Sequence, residues 1–224
     1  MRRHSVGLRH AAGHPRGLPV IAIAGAVLLV AAVAIGLTAS HPAVKNGTDT
    51  AKDMRGQTVS LDPGETPEPA ASAKAIGSIG ATLHVPSVGL DVPLGALNAV
   101  NGEITPPGFT SAYWVRNLGV PVSGGATGTV FVVVHSLRGG GVAPGNYLTN
   151  VQTQTSRVKD GAIVEVAGID YTVTGSELIT KTTISQNSSV WANTPNRLVL
   201  ITCLEHANGS PSTDNLVITA TRNT

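Results

Sequence analysis

Arg197-Leu198-Val199-Leu200-Ile201-Thr202-Cys203 is a short run of branched apolar residues that ends on the only cysteine of the 224-residue chain. Pro195-Asn196 precede it and Asn208-Gly209 follow. Turn-forming residues thus bound a segment with the length and branching of a buried strand, too short for a helix. The thiol therefore belongs at a strand end. Thr129-Val130-Phe131-Val132-Val133-Val134-His135 has the same form, β-branched residues after Ser123-Gly124-Gly125 closing on a histidine. Two strands each deliver one reactive side chain to a sheet rim. Because a free thiol is mostly protonated at neutral pH, a cysteine nucleophile needs such an imidazole beside it.

The rest of the chain suits that reading. Hydrophobic residues make up 42% and charged ones 12%, which excludes a disordered polymer, while aromatics at 3% leave the core to Val, Ile, Leu and Ala. That palette favours sheet. The length allows one ordinary domain with appendages.

Arg2, Arg3, Arg9 and Arg16 put +4 into the first 17 residues, so the formal +2 of the chain leaves −2 on the remainder. No Lys/Arg cluster interleaved with aromatics follows residue 17, and nucleic-acid binding is set aside. From Leu18 to Leu37 every residue is apolar, Gly or Pro, enough for a helix to cross a hydrocarbon core of roughly 30 Å. The expectation is a basic cytoplasmic tail (1–17), one transmembrane helix (18–38) and an extracellular remainder, the arginines staying inside. The alternative is a cleaved signal peptide with Thr38-Ala39-Ser40 as its site. Both readings export the domain. A lone cysteine in an exported protein has no intramolecular disulfide partner and is either a reactive thiol or a small buried hydrophobe.

Residues 39–75, rich in Ala, Pro, Thr and Ser, read as a disordered linker. The folded domain is expected over 76–224. Ala81–Val85 and Val88–Leu94 read as strands parted by Pro86-Ser87, and 162–167 with 171–174 as a hairpin. Asn215–Ala220 reads as the last strand, and 176–196 as loop or short helix. Tyr113-Trp114 reads as core or lid packing. The fold class predicted is all-β, a closed antiparallel barrel of about eight strands with short helices or loops, preceded by the membrane helix.

Residues 76 to about 222 resemble the sortases, cell-wall cysteine transpeptidases of Gram-positive bacteria, and are most similar to the actinobacterial classes E and F. The family carries a Thr-Leu-x-Thr-Cys strand, matched by Val199-Leu200-Ile201-Thr202-Cys203 with Val199 in place of the first Thr. Its histidine ends an earlier strand, as in Gly128–His135. Leu83–Pro93 is similar to its first two strands. The resemblance implies a sortase barrel in which Cys203 attacks the carbonyl of a Thr-Gly-like bond in a sorting-signal peptide. His135 protonates the leaving amine, and a cell-wall precursor amine resolves the thioester. No cofactor is implied, and the histidines lack metal-ligand spacing.

One feature of the family is missing. An arginine at or before the last strand serves its substrate and oxyanion, yet the matching positions here hold Thr213 and Asn215. With Thr202 and Arg138 these are the candidates for oxyanion or substrate binding. Arg197 lies some six residues before Cys203, roughly 20 Å at about 3.3 Å per residue, which is too far. Arg222 lies beyond the last strand. His84 reads as a surface or satisfied histidine, and His206 as a possible site wall. The missing arginine supports a second hypothesis, a catalytically impaired sortase-like module that binds sorting peptides or cell-wall components. A third, another exported cysteine enzyme, fits poorly. L,D-transpeptidases want Gly where Thr202 stands, and papain-like peptidases want the cysteine at a helix N-terminus.

Overall fold

The computed structural model describes residues 51–59 and 69–224, all within one compact unit, Gly47–Thr224. The tail 1–17 and the apolar span 18–38 lie outside the described residues. Among those described, strands form in the order β1 (Ile76–Val85), β2 (Leu90–Leu97), β3 (Ala112–Val115), β4 (Thr129–Val133), β5 (Thr149–Asn150), β6 (Thr155–Ser156), β7 (Ile163–Val166), β8 (Ile169–Thr180), β9 (Arg197–Leu204) and β10 (Asp214–Arg222). Among the described residues, helix is confined to α1 (Pro144–Leu148), α2 (Ser188–Trp191) and single 3₁₀ turns. Eight strands close a barrel, β1-β2-β3-β4-β9-β10-β8-β7, and β5 pairs with β6 as a separate ribbon.

The barrel is closed and all-β as expected, but it is not wholly antiparallel. β2 and β3 run parallel, Leu94 opposite Ala112, and so do β4 and β9, from Thr129 opposite Arg197 to Val133 opposite Ile201. A parallel step cannot be closed by a tight turn and needs a crossover of a dozen or more residues. Residues 98–111 make that crossover from β2 to β3. Residues 181–196 carry the chain from β8 past β10 to β9. The second connection reads as loop or short helix in the sequence, and neither connection signals parallel pairing.

Parallel strands are usually covered on both faces, and then read as unbroken apolar runs. All five residues of β4 are buried. Val130, Val132, Leu198, Leu200, Leu216 and Ile218 point into the barrel with Leu83, Leu90 and Tyr171. The alternate residues Phe131, Val133, Val199, Ile201 and Val217 form a second apolar layer with Tyr113, Val190 and Trp191. The crossovers supply that outer cover. Tyr113 is core, as expected.

Two sequence readings change. The stretch 176–180, read as part of a loop or short helix, continues β8, because its backbone pairs with β10 from Asp214 opposite Thr180. Residues 51–59, inside the expected disordered linker, form a docked hairpin. Lys52 bridges Thr58, and the buried Asp53 carboxylate accepts from the N–H groups of Arg55 (2.9 Å) and Gln57 (2.8 Å). Composition missed this because local polar bonds, not apolar burial, hold the turn.

Candidate active site

The register of β4 against β9 decides the site. Val133 lies opposite Ile201, and the Val134 N–H bonds to Ile201 O at 3.0 Å, extending the ladder beyond β4. Two residues past Val133 the chain reaches His135, just beyond the end of β4, and His135 and Cys203 line one cavity. On the other flank, antiparallel β10 places Asn215 opposite Cys203, with Sγ 4.0 Å from Asn215 Oδ1 in a long, weak S–H···O contact. Histidine, cysteine and amide thus gather at the outer face of the barrel, Cys203 and Asn215 opposite each other on β9 and β10 and His135 just past the end of β4. Cys203 and His135 are both half-buried.

These three residues line a cavity of about 410 Å³ roofed by the two crossovers. Ala99, Ile104 and Pro106 come from the first crossover, Ile184 and Trp191 from the second, and Ile201 from the floor. Among the described residues, no Asp, Glu, Lys or Arg lines it. Asn187 caps α2 by accepting from the N–H groups of Ser189 and Val190, and Trp191 Nε1–H donates to Ile184 O at 2.6 Å, which fixes the second wall.

The first crossover holds the imidazole. His135 Nε2 lies 2.9 Å from Pro106 O, and the Phe109 ring packs against the imidazole with centroids 4.9 Å apart. A carbonyl only accepts, so Nε2 carries the proton, and in the neutral ring Nδ1 is the basic atom. The Tyr113 hydroxyl in turn donates to Pro107 O. Sequence reading missed Pro106 and Phe109. Phe109 is one of only two phenylalanines in the chain, and that rarity was the available signal.

The other side of His135 is held through its backbone. Gly145 N–H donates to His135 O at 2.7 Å. Gly145 in α1 has no room for a side chain: a Cβ there would strike Thr202 Oγ1 and Ser136 Oγ and come within 2.7 Å of His135 O. Gly145→Ala is expected to destabilise the domain by about 1–3 kcal/mol, the usual cost of overpacking. It should also displace His135. Thermal unfolding and the rate of Cys203 alkylation check the two effects separately.

The remaining candidates divide. Thr202 alternates with Cys203 along β9, and its buried hydroxyl bonds to Ser136 Oγ at 2.9 Å on the opposite face. Its hydroxyl is therefore turned away from Cys203, though Thr202 is among the residues that line the cavity. Thr213 is exposed, with Oγ1 donating to Asp214 Oδ2 at 2.7 Å and lying 3.4 Å from His206 Nε2. Neither Thr213 nor His206 lines the cavity, and Arg138, half-buried in the loop after His135, does not line it either. Arg197 is at the far end of β9, bonded to Val190 O and Ala192 O. Burial lowers its pKa and Glu177 opposes that shift. Arg222 pairs with Tyr171, well away from Cys203. Of the four oxyanion candidates, Asn215 places its side-chain oxygen 4.0 Å from the thiol.

No family model and no curated protein matches the chain. Solved structures similar to it include sortase A from Listeria monocytogenes, at 21% identity over 64% of this chain and 86% of that one, with a TM-score of 0.46. A lid mutant of sortase A from Corynebacterium diphtheriae is similar at 16% identity over 69% and 74%, TM-score 0.46. Sortase C-1 from Actinomyces oris is similar at 17% over 64% and 73%, TM-score 0.45. Identities this low carry no residue roles from one chain to another.

Proposed function

We propose that this chain is a sortase-type cysteine transpeptidase with Cys203 as nucleophile and His135 as acid and base. The observation that carries the reading is that His135, just past the end of β4, and Cys203, near the end of the adjacent β9, line one cavity without charged side chains. His135 takes the thiol proton. The thiolate Sγ then bonds to the carbonyl carbon of a Thr-Gly-like peptide link, and the negative charge passes to the carbonyl oxygen. Collapse breaks the C–N bond, the imidazolium gives its proton to the departing amine, and a thioester remains on Cys203. A second amine, from a cell-wall precursor, attacks the thioester and restores the thiol. The apolar lining suits a peptide whose residues before the scissile bond are uncharged. Residues 18–38 would hold the domain on the outer face of the cell membrane, and classes E and F remain the subfamilies it resembles most.

A second reading, an impaired module that binds sorting peptides, draws on one feature. Where the family pattern wants a guanidinium, the group facing Cys203 is the Asn215 amide. Its oxygen faces Sγ, so the amide would serve an oxyanion there only by turning its N–H groups inward, and then without a charge. The expected outcome is that iodoacetamide labels Cys203 readily while turnover of sorting peptides stays slow. Asn215→Arg should raise turnover by about 10²–10³, the usual worth of an oxyanion donor. Turnover typical of an efficient transpeptidase in the unmodified protein, unchanged by Asn215→Ala and by Arg138→Ala, would refute this account of the donor. Failure of Cys203 to label would leave only the binding reading.

A further inference from the structure

The loop that follows His135 contains Gly139, Gly140 and Gly141, with φ of 67° and 90° at the first two. Such a sequence has little stiffness of its own. Its position is imposed by neighbours at both ends. Asn146 accepts from the N–H groups of Leu137 (2.9 Å) and Ala143 (2.8 Å) and donates to Leu137 O (2.7 Å). On the outer side the docked hairpin grips Val142. Asp53 Oδ2 accepts from Val142 N–H at 3.1 Å, and Met54 N–H donates to Val142 O at 2.8 Å. Met54 packs against the barrel core. The loop is thereby clamped between a helix and a segment 89 residues earlier in the chain.

From this clamp we propose that Asp53 is a positioning residue for His135, the 51–59 hairpin acting as a strap that fixes the 136–143 loop. The inference rests on the reading of His135 as acid and base. The path is short: Val142 adjoins Ala143, Ala143 and Leu137 share the Asn146 side chain, and Gly145 holds His135 O. The two carboxylate oxygens divide the work. Oδ1 organises the hairpin internally through Arg55 and Gln57, and Oδ2 alone reaches the loop. Burial pushes the carboxyl pKa up, but the backbone donors of Gln57, Val142 and Arg55, with the Arg55 charge, outweigh it and hold the group below its ordinary value. The carboxylate form that the clamp needs is the one the site favours.

Asp53→Asn separates the two jobs. The amide oxygen keeps the hairpin bonds, while the amide nitrogen meets Val142 N–H donor to donor. Gly56→Ala loosens the strap from the other side, because Gly56 sits at φ 76° in the turn with nothing near its Cβ position. In the full chain, both variants should raise amide exchange in 136–143 about tenfold or more while β9 exchange stays unchanged. Both should alter the pH profile of Cys203 alkylation by iodoacetamide and lower the kcat of peptide transfer about tenfold to a hundredfold, with KM nearly constant. Faster loop exchange with an unaltered alkylation profile and kcat would overturn the proposal, leaving the strap a stabiliser only. Unchanged loop exchange in both variants would overturn it as well. If the wild-type chain transfers no peptide, the transpeptidase reading fails by itself, and the alkylation profile and exchange still decide whether Asp53 positions His135.

Discussion

Cys203→Ala is expected to reduce peptide cleavage and transfer to background, a loss on the order of 10³ or more, with the fold intact. The size follows from the role: without Sγ no thioester forms, and the cavity, Asn215 and His135 retain only binding and polarisation of the carbonyl. The fold should tolerate the change. Cys203 is half-buried near the end of β9, and its contact with Asn215 Oδ1 is long at 4.0 Å. Peptide affinity, measured by fluorescence titration, should therefore stay within a few-fold of wild type while turnover vanishes. Residual turnover at the wild-type rate would remove Cys203 from the chemistry.

The second large effect is at His135. His135→Ala should lower transfer by about 10²–10⁴, the range for general acid–base groups. It should also slow alkylation of Cys203 at neutral pH, because the thiol loses the base that takes its proton. The two readouts test different moments of the reaction. Alkylation senses only the thiolate, whereas transfer also needs a proton for the departing amine. Transfer should therefore fall further than alkylation, and equal losses would mean that His135 serves the thiol alone. Phe109 and Pro106 O hold the ring but carry no proton in this scheme. Phe109→Leu is accordingly expected to cost far less than loss of the imidazole.

The two strands that matter most were readable because both their faces are buried. Thr129–His135 and Arg197–Cys203 are unbroken apolar runs, and each reactive residue sits where its run stops. That the two runs neighbour each other was expected from the need of the thiol for an imidazole, but their parallel sense was not readable, since it depends on crossovers that are polar and irregular in sequence. The same crossovers bring Pro106, Phe109, Ile184 and Trp191 over the site, so the cavity walls were missed with them. Asn215 could be named as one of two family-matched positions, but only the β9/β10 register distinguishes it from Thr213. Thr202 adjoins the cysteine in sequence, yet strand alternation sends its hydroxyl to Ser136 on the other face. Asp53 was hidden for a different reason: its bonds to Arg55 and Gln57 are local, but the contact with Val142 spans the chain.

The central claim is that Cys203 carries the acyl group, and mass spectrometry of the trapped intermediate tests it directly. The full chain is incubated with a peptide containing a Thr-Gly bond and no acceptor amine, quenched in acid and digested. The account predicts that the Cys203 peptide gains the mass of the N-terminal acyl fragment, that hydroxylamine removes it, and that Cys203→Ala shows no adduct. Samples are quenched over a long time course, because weak oxyanion stabilisation slows formation of the thioester as well as its transfer. Cleavage of the peptide with the acyl group on another residue, or an unmodified Cys203 in protein that iodoacetamide labels fully, would contradict it.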